Sequence, residues 1–531
     1  MVPARADRPR TDRPFGGLRL IIPGREVSGP VTERTDVCVI GSGAAGAIVA
    51  WEMAEQGHKV VLLEKGGYHP RQDFTQREDQ MIPMLFKNCG LQFTIPDAIA
   101  VAQGSCVGGS TVVNDAVCFR TPDTVLGWWK DDHKVEGVDP AAMKRHFEKV
   151  EPRISVTEVL PFELNRNNLI LKDGCEKLGW AGAPNKRNCR DCRQCGLCHL
   201  GCYYGTKQSM LETYIADIER VHGESVKIYA DAGALELARS GSRVTGVGAS
   251  VDGGAGTANP LNVKADLFVV CAGTIGSSEL LLKSGLDINR RVGRNVAIHP
   301  SAALIGDFPE EVRGHEGIPM AYHCYEFSVL KTGKRGFMLE SISLPPYQFS
   351  LPLPGFGFDH KELMSRYEHY GLMGAMVHDQ SVGRARLGGP LGTILEYELA
   401  PEDAKILVEG MRNATRLLLS QGATRVITSQ KKKTVVHGEE DMYLIRHRGV
   451  SALDINLASA HPQGGNAMGG DPKRAVVDSN SRAYGFENLF VCDASVFPTA
   501  VGVNPQLTVM ALASRLGEHI GESWAKYAGG S

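Results

Sequence analysis

The stretch DVCVIGSGAAGAIVAWEMAEQGHKVVLLEK, residues 36–65, decides the fold. It reads as a buried strand, a glycine turn, an Ala-rich amphipathic helix and a second strand that ends in an acid, which together make a βαβ unit. Gly41 permits the tight turn, Gly43 lets the backbone approach a pyrophosphate, and Gly46 lets the helix pack close to the strand. The helix N-terminus then faces the phosphates. Glu64, at the end of the second strand, is placed to accept hydrogen bonds from ribose hydroxyls and would repel a 2′-phosphate. The unit predicts dinucleotide binding without separating FAD from NAD, and no second glycine fingerprint follows another strand.

Two more segments extend this reading. Gly104-Ser-Cys-Val-Gly-Gly-Ser-Thr-Val-Val-Asn114 is glycine-rich and can present backbone N–H groups to a phosphate or a flavin ring. Residues 267–283, LFVVCAGTIGSSELLLK, repeat the order strand, glycine turn, helix, as a later piece of the same sheet. Between about 301 and 455 the pattern changes to short alternating segments, at Gly336 to Ile342, Leu372 to His378 and Thr393 to Leu399, which predict an antiparallel sheet. A long helix is expected from Pro401 to about Gln421, with Ile406, Leu407, Met411, Ala414, Leu417 and Leu418 on its apolar face.

Near the C-terminus, His461-Pro-Gln-Gly-Gly precedes a strand over Leu489 to Cys492, then Asp493-Ala494, and Asn504 lies just before a helix start near Pro505. With these four ordered blocks, residues 33–525 resemble the glucose–methanol–choline family of FAD-dependent oxidoreductases, most closely its cholesterol oxidase and long-chain alcohol oxidase branches. The resemblance implies an α/β fold, with a Rossmann-like FAD-binding domain interleaved with an α+β substrate domain on an antiparallel sheet. The expected order is a partly disordered leader (1–30), FAD-binding parts at 31–150, 207–300 and 455–531, a cysteine-rich lid (151–206) and the substrate domain (301–454). It further implies that Gly41, Gly43, Ala45, Gly46, Glu64 and Lys65 hold the ADP half of FAD. Gly108, Gly109, Ser110 and Asn114 would approach the flavin, joined by Ala272 and Gly273. Asp493, Ala494, Pro505 and Gln506 would close over the pyrophosphate and the ring edge.

The catalytic pair implied by the same motifs is His461 and Asn504. Alcohol oxidation removes the O–H proton as the C–H hydride leaves, and a neutral imidazole is a suitable base. Asn504 can both donate and accept, so its expected role is to orient the hydroxyl. His299 falls in a family-like segment, where a structural role is expected. A third polar residue from the substrate domain is anticipated but has no sequence mark.

Of 13 cysteines, Cys189, Cys192, Cys195, Cys198 and Cys202 lie in one short run. The last four have the C-x2-C-x2-C-x3-C spacing of ferredoxin loops, although Tyr203 stands where those loops have Pro. The run predicts an iron–sulfur cluster, [3Fe-4S] or [4Fe-4S], with structural zinc or a metal-free loop as alternatives. A cluster would make the enzyme a dehydrogenase that passes electrons to an external acceptor or redox protein. The alternatives are an O2-using oxidase with a structural cysteine loop, and a lyase or photoenzyme on the same scaffold.

Composition bounds the rest. The chain has 531 residues, 43% hydrophobic and 22% charged, and its 58 Lys+Arg against 60 Asp+Glu give a net charge of −2. That excludes wholesale disorder and a nucleic-acid footprint. No apolar run is long enough to span a bilayer, and Met1 to Pro23 lacks a secretory core, so a cytoplasmic location is expected. The Pro- and aromatic-rich stretch 345–358 can line an apolar tunnel or touch a membrane surface. It tilts the substrate towards a hydrophobic alcohol, long-chain or sterol-like, with a sugar hydroxyl as the alternative. Oligomeric state is not readable.

Overall fold

The structure, a computed structural model, describes residues 20–254, 256–380, 382–446 and 454–529. Residues 1–19 of the expected leader and 447–453 of the expected substrate domain lie outside the described residues.

The quoted stretch folds as read. Strand Val31–Ile40 leads through the glycine turn into helix Gly46–Glu55, and strand Val60–Leu63 returns parallel to the first, Val37 opposite Val60. Residues 37–40 and 60–63 are buried without interruption, as expected of a parallel sheet covered on both faces. The sheet has eight strands. Outward from Val60–Leu63 come Val226–Tyr229 and the edge strand Ile21–Ile22. On the other side lie the 14-residue strand Thr257–Val270, then Arg243–Gly254 and Ala232–Ser240 as an antiparallel extension. Leu489–Val491 also pairs parallel with the end of Thr257–Val270, so the last part of the chain returns to this sheet.

A second sheet, of nine strands, is centred on Ser301–Asp307, Tyr370–Val377 and Phe337–Ser341, in antiparallel register. Two of the three expected strand segments are therefore neighbours here. The third, Thr393–Tyr397, belongs instead to a five-stranded sheet with Gly383–Leu387, Arg294–Ala297, Gln463–Gly465 and Thr94–Pro96. Helix Pro401–Ser420 packs its apolar face on the nine-stranded sheet, with Leu407, Met411, Ala414, Leu417 and Leu418 fully buried. The chain is thus a mixed α/β protein in which a dinucleotide-type sheet and a substrate-side sheet are interleaved. Residues 94–101 and 457–465 each contribute a strand to both of the other sheets and line the cavity shared with the first. No helix among the described residues is long and apolar enough to cross a membrane.

Candidate active site

A cavity of about 840 Å³ runs from the glycine turn of the first sheet to an apolar mouth beside the second. Of the eighteen residues expected from sequence to hold cofactor or act on substrate, all but Gly46 and Gly108 line it. Those two are packing positions. A Cβ on Gly46 would stand 1.8 Å from the Gly41 carbonyl oxygen, and one on Gly108 would meet Val112 at 2.8 Å.

The cofactor end is built from backbone and buried carboxylates. Gly43 and Gly109 face each other so closely that a Cβ on Gly109 would lie 2.8 Å from the Gly43 Cα. Glu64 is anchored by Ser42 N–H (2.9 Å), Ser42 O–H (2.6 Å) and Gly66 N–H (2.8 Å). Burial raises its pKa and these donors oppose the rise. Asp493 accepts from Gly273 N–H (2.9 Å) and Ser277 O–H (2.5 Å), tying the C-terminal block to the second glycine turn. Asn114 donates to the Gln506 side-chain oxygen at 2.8 Å, and Gln506 donates in turn to the Val117 carbonyl at 2.7 Å. An elongated, glycine-walled channel with a buried acid at the strand end fits the ADP half of FAD, and its volume lies in the ordinary range for a cofactor pocket.

Further along the cavity, helix Gln506–Glu522 begins just after Asn504, and strand Gln463–Gly465 just after His461. The Asn504 amide nitrogen lies 3.4 Å from His461 Nε2. Asn504 also hydrogen-bonds Glu340, which projects from strand Phe337–Ser341 of the second sheet. Glu340 stands on the substrate side of the cavity, where a third polar residue was expected without a sequence mark. It is 4% exposed, lines the same cavity, and keeps one carboxylate oxygen without a partner, as does the Asn504 amide oxygen. Unpaired buried acceptors of this kind await a donor such as a substrate hydroxyl. Burial drives the Glu340 pKa up to about 7, against the pull of Asn504, and drives that of His461 down to about 4.

His299 is a buried neighbour, its ring 5.6 Å from that of His461. Its backbone is held at φ 49° by Asp379, which accepts both Ile298 N–H and His299 N–H at 3.1 Å, while Gly502 N–H donates to its Nε2 at 3.0 Å. Asp115 and His199 form a further pair on the cavity wall, 2.7 Å apart. Burial would raise the Asp115 carboxyl, but His199, with Arg187 and Lys207 behind it, brings it below its ordinary value.

The cysteine run does not form the metal centre expected of it. Among the described residues no group of three or more His, Cys, Asp or Glu is arranged to hold a metal ion, so neither an iron–sulfur cluster nor zinc stands at Cys189, Cys192, Cys195, Cys198 and Cys202. Cations and neighbouring donors occupy their surroundings instead. Arg187 donates to Cys198 Sγ at 3.3 Å and to Cys192 Sγ at 3.9 Å. Cys202 Sγ accepts from Lys207 N–H at 3.4 Å, and Cys195 Sγ from Gln76 at 3.7 Å. The Lys207 ammonium is buried against the carbonyls of Val112, Asn114 and Cys198 at 2.7, 2.8 and 2.8 Å. The sulfurs are thus engaged by donors of the protein itself and do not converge as a ligand set. The spacing alone could not reveal those donors.

Comparison with known proteins agrees with the geometry. Residues 82–301 and 379–513 match the two sequence profiles described as GMC oxidoreductase, and 36–71 match one described as FAD dependent oxidoreductase. The chain is 32% identical to an uncharacterized GMC-type oxidoreductase (MT0511/MT0512) of Mycobacterium tuberculosis, over 96% of this chain and 79% of that protein. It is 31% identical to the long-chain-alcohol oxidase FAO1 of Arabidopsis thaliana, over 92% of this chain and 67% of the other. Among solved structures it resembles pyridoxine 4-oxidase with a TM-score of 0.71 and 18% identity, covering 91% of this chain and 98% of that one. With the glycine-walled channel, the anchored acid and the His461–Asn504 contact on one cavity, the chain belongs to the GMC oxidoreductases, FAD-dependent enzymes acting on CH–OH groups.

Proposed function

We propose that this chain oxidises a hydrophobic alcohol and returns the electrons to O2 as hydrogen peroxide. The observation that carries the reading is the Asn504 amide, which joins His461 and Glu340 at the inner end of a cavity whose outer end is apolar. Leu91, Phe93, Tyr347 and Leu351 line that outer end and are 59%, 51%, 51% and 59% exposed, so the mouth offers apolar surface to an incoming chain. The long-chain-alcohol oxidase relatives support the same substrate class and an oxidase chemistry. The dehydrogenase expectation rested on the cysteine relay, and it falls with the ligand set.

Bound FAD supplies the hydride acceptor. Neutral His461 and the Asn504 amide hold the hydroxyl, which fixes which C–H bond points across the cavity. Sequence reasoning assigned the proton to His461. An imidazole with a pKa near 4 is a weak acceptor, whereas a carboxylate near 7 is matched to neutral pH, so we place the proton on the unpartnered oxygen of Glu340. Buried Leu372 and Met376 are among the lining residues and limit water near the reacting atoms.

The test is anaerobic mixing of the holoenzyme with primary alcohols of increasing chain length, followed by air. The reading expects flavin bleaching that quickens with chain length, then recovery with one hydrogen peroxide per flavin. A flavin that no alcohol bleaches, or a reduced flavin that persists in air, overturns it.

A further inference from the structure

Cys189 and Cys192 stand at the ends of a Cys-x2-Cys turn that bends at Asp191, φ 54°. Their sulfurs hydrogen-bond to each other. Cys189 is buried and Cys192 is half-buried, so Cys192 is the more exposed residue of the pair. The Arg187 guanidinium is 2% exposed, cannot shed its proton, and spends its hydrogen bonds on the Asp115 carbonyl (3.0 Å) and the sulfurs of Cys192 and Cys198. A buried cation needs an anion beside it, and here the Asp115 carboxylate shares that place with the thiols. Cys198 is half-buried like Cys192, yet desolvation of its thiol raises its pKa to about 11, whereas the Cys189 hydrogen bond, with Arg187, lowers that of Cys192 to about 5. The thiolate is therefore Cys192. Lys207, Asp115 and His199 complete the ionisable surroundings.

We propose that Cys189 and Cys192 form a dithiol site that hydroperoxides oxidise to a disulfide. The Cys192 thiolate attacks one peroxide oxygen; the O–O bond breaks, hydroxide leaves and takes a proton, and Cys192 becomes a sulfenic acid. The Cys189 sulfur then attacks the Cys192 sulfur, its proton leaving with the departing hydroxide as water. Two thiols and one hydrogen peroxide thus give one disulfide and two waters. The oxidant is the co-product of the activity proposed above, but the site does not depend on that activity, because peroxide can be added. Oxidation would remove one counter-charge of Arg187 and leave it to Asp115, whose carbonyl on the cavity wall its Nε already holds.

The fold carries its own control. Cys175 and Cys324 also share a sulfur–sulfur hydrogen bond, but they are 1% and 0% exposed and no cation acts on either. The experiment treats the intact, pre-reduced holoprotein with hydrogen peroxide, quenches with acid, alkylates, and maps thiols by peptide mass. The expected result is a Cys189–Cys192 linked peptide pair, with Cys192 lost at least about tenfold faster than Cys175, as thiolate character and exposure dictate. Cys189→Ser should halt at a Cys192 sulfenic acid that a dimedone probe traps, with flavin content unchanged. Cys192 remaining alkylatable, or oxidising in step with Cys175 and Cys324, overturns the proposal.

Discussion

At the scale of single residues, ionisation separates the two candidate proton acceptors. Glu340 ionises only above about 7, so kcat/KM for an alcohol should rise with pH through that value, and the limb should vanish in Glu340→Gln. A pH–rate profile checks it. His461, lowered to about 4, stays neutral over the working range and adds no limb of its own. His461→Ala should nevertheless slow flavin reduction by about 10²–10⁴-fold in stopped flow, with FAD retained, because the hydroxyl loses its anchor. The same carboxyl leaves a mark on stability. Its pKa rises from 4.5 unfolded to about 7 folded, so the stability it contributes is full below 4.5 and is lost as pH climbs through 7. The unfolding temperature should fall as pH rises across that window, and less steeply in Glu340→Gln. That His461 and Asn504 lie together could be anticipated because each sits in a short motif. Glu340 was not, because one acid in an apolar strand has no spacing to betray it; the strand Phe-Met-Leu-Glu-Ser, buried throughout, was the available sign.

At the scale of elements, the βαβ unit was legible because it is local. Its strands, turn and helix are contiguous, and Gly46 is demanded by the Gly41 carbonyl five residues back, although Gly41 itself is also closed in by Cys271 far along the chain. Gly46→Ala should therefore cost about 1–3 kcal/mol by overpacking against the Gly41 carbonyl, read as a lowered Tm. Glu64→Ala removes the acceptor of three hydrogen bonds beside the glycine turn, and the purified protein should carry much less FAD per chain by absorbance. Full flavin occupancy would count against a cofactor role for Glu64. The cysteine run shows the opposite case. Its spacing is local too, but what surrounds the sulfurs is set by Arg187 and Lys207 at its flanks and by the loop ending at Asn114.

At the scale of the molecule, function depends on the interleaving of three sheets that no window of sequence displays. The first sheet supplies the dinucleotide channel, the second Glu340, and the segments 457–465 and 489–506 cross between them with His461 and Asn504. The alternating strands of the substrate side were legible, but not that Thr393–Tyr397 would join a separate sheet, since pairing partners lie far apart in the chain. The apolar mouth predicts that Leu351→Asp raises KM for long-chain alcohols several-fold while changing that for short ones little, by steady-state assay. The most direct measurement of the central claim is stopped-flow reduction of the bound flavin by a long-chain alcohol without oxygen, in wild type and Glu340→Gln, followed by peroxide release in air. The account predicts fast bleaching in wild type, slow bleaching in the variant and one peroxide per flavin. Equal bleaching rates in the two proteins at neutral pH, or reoxidation without peroxide, would contradict it.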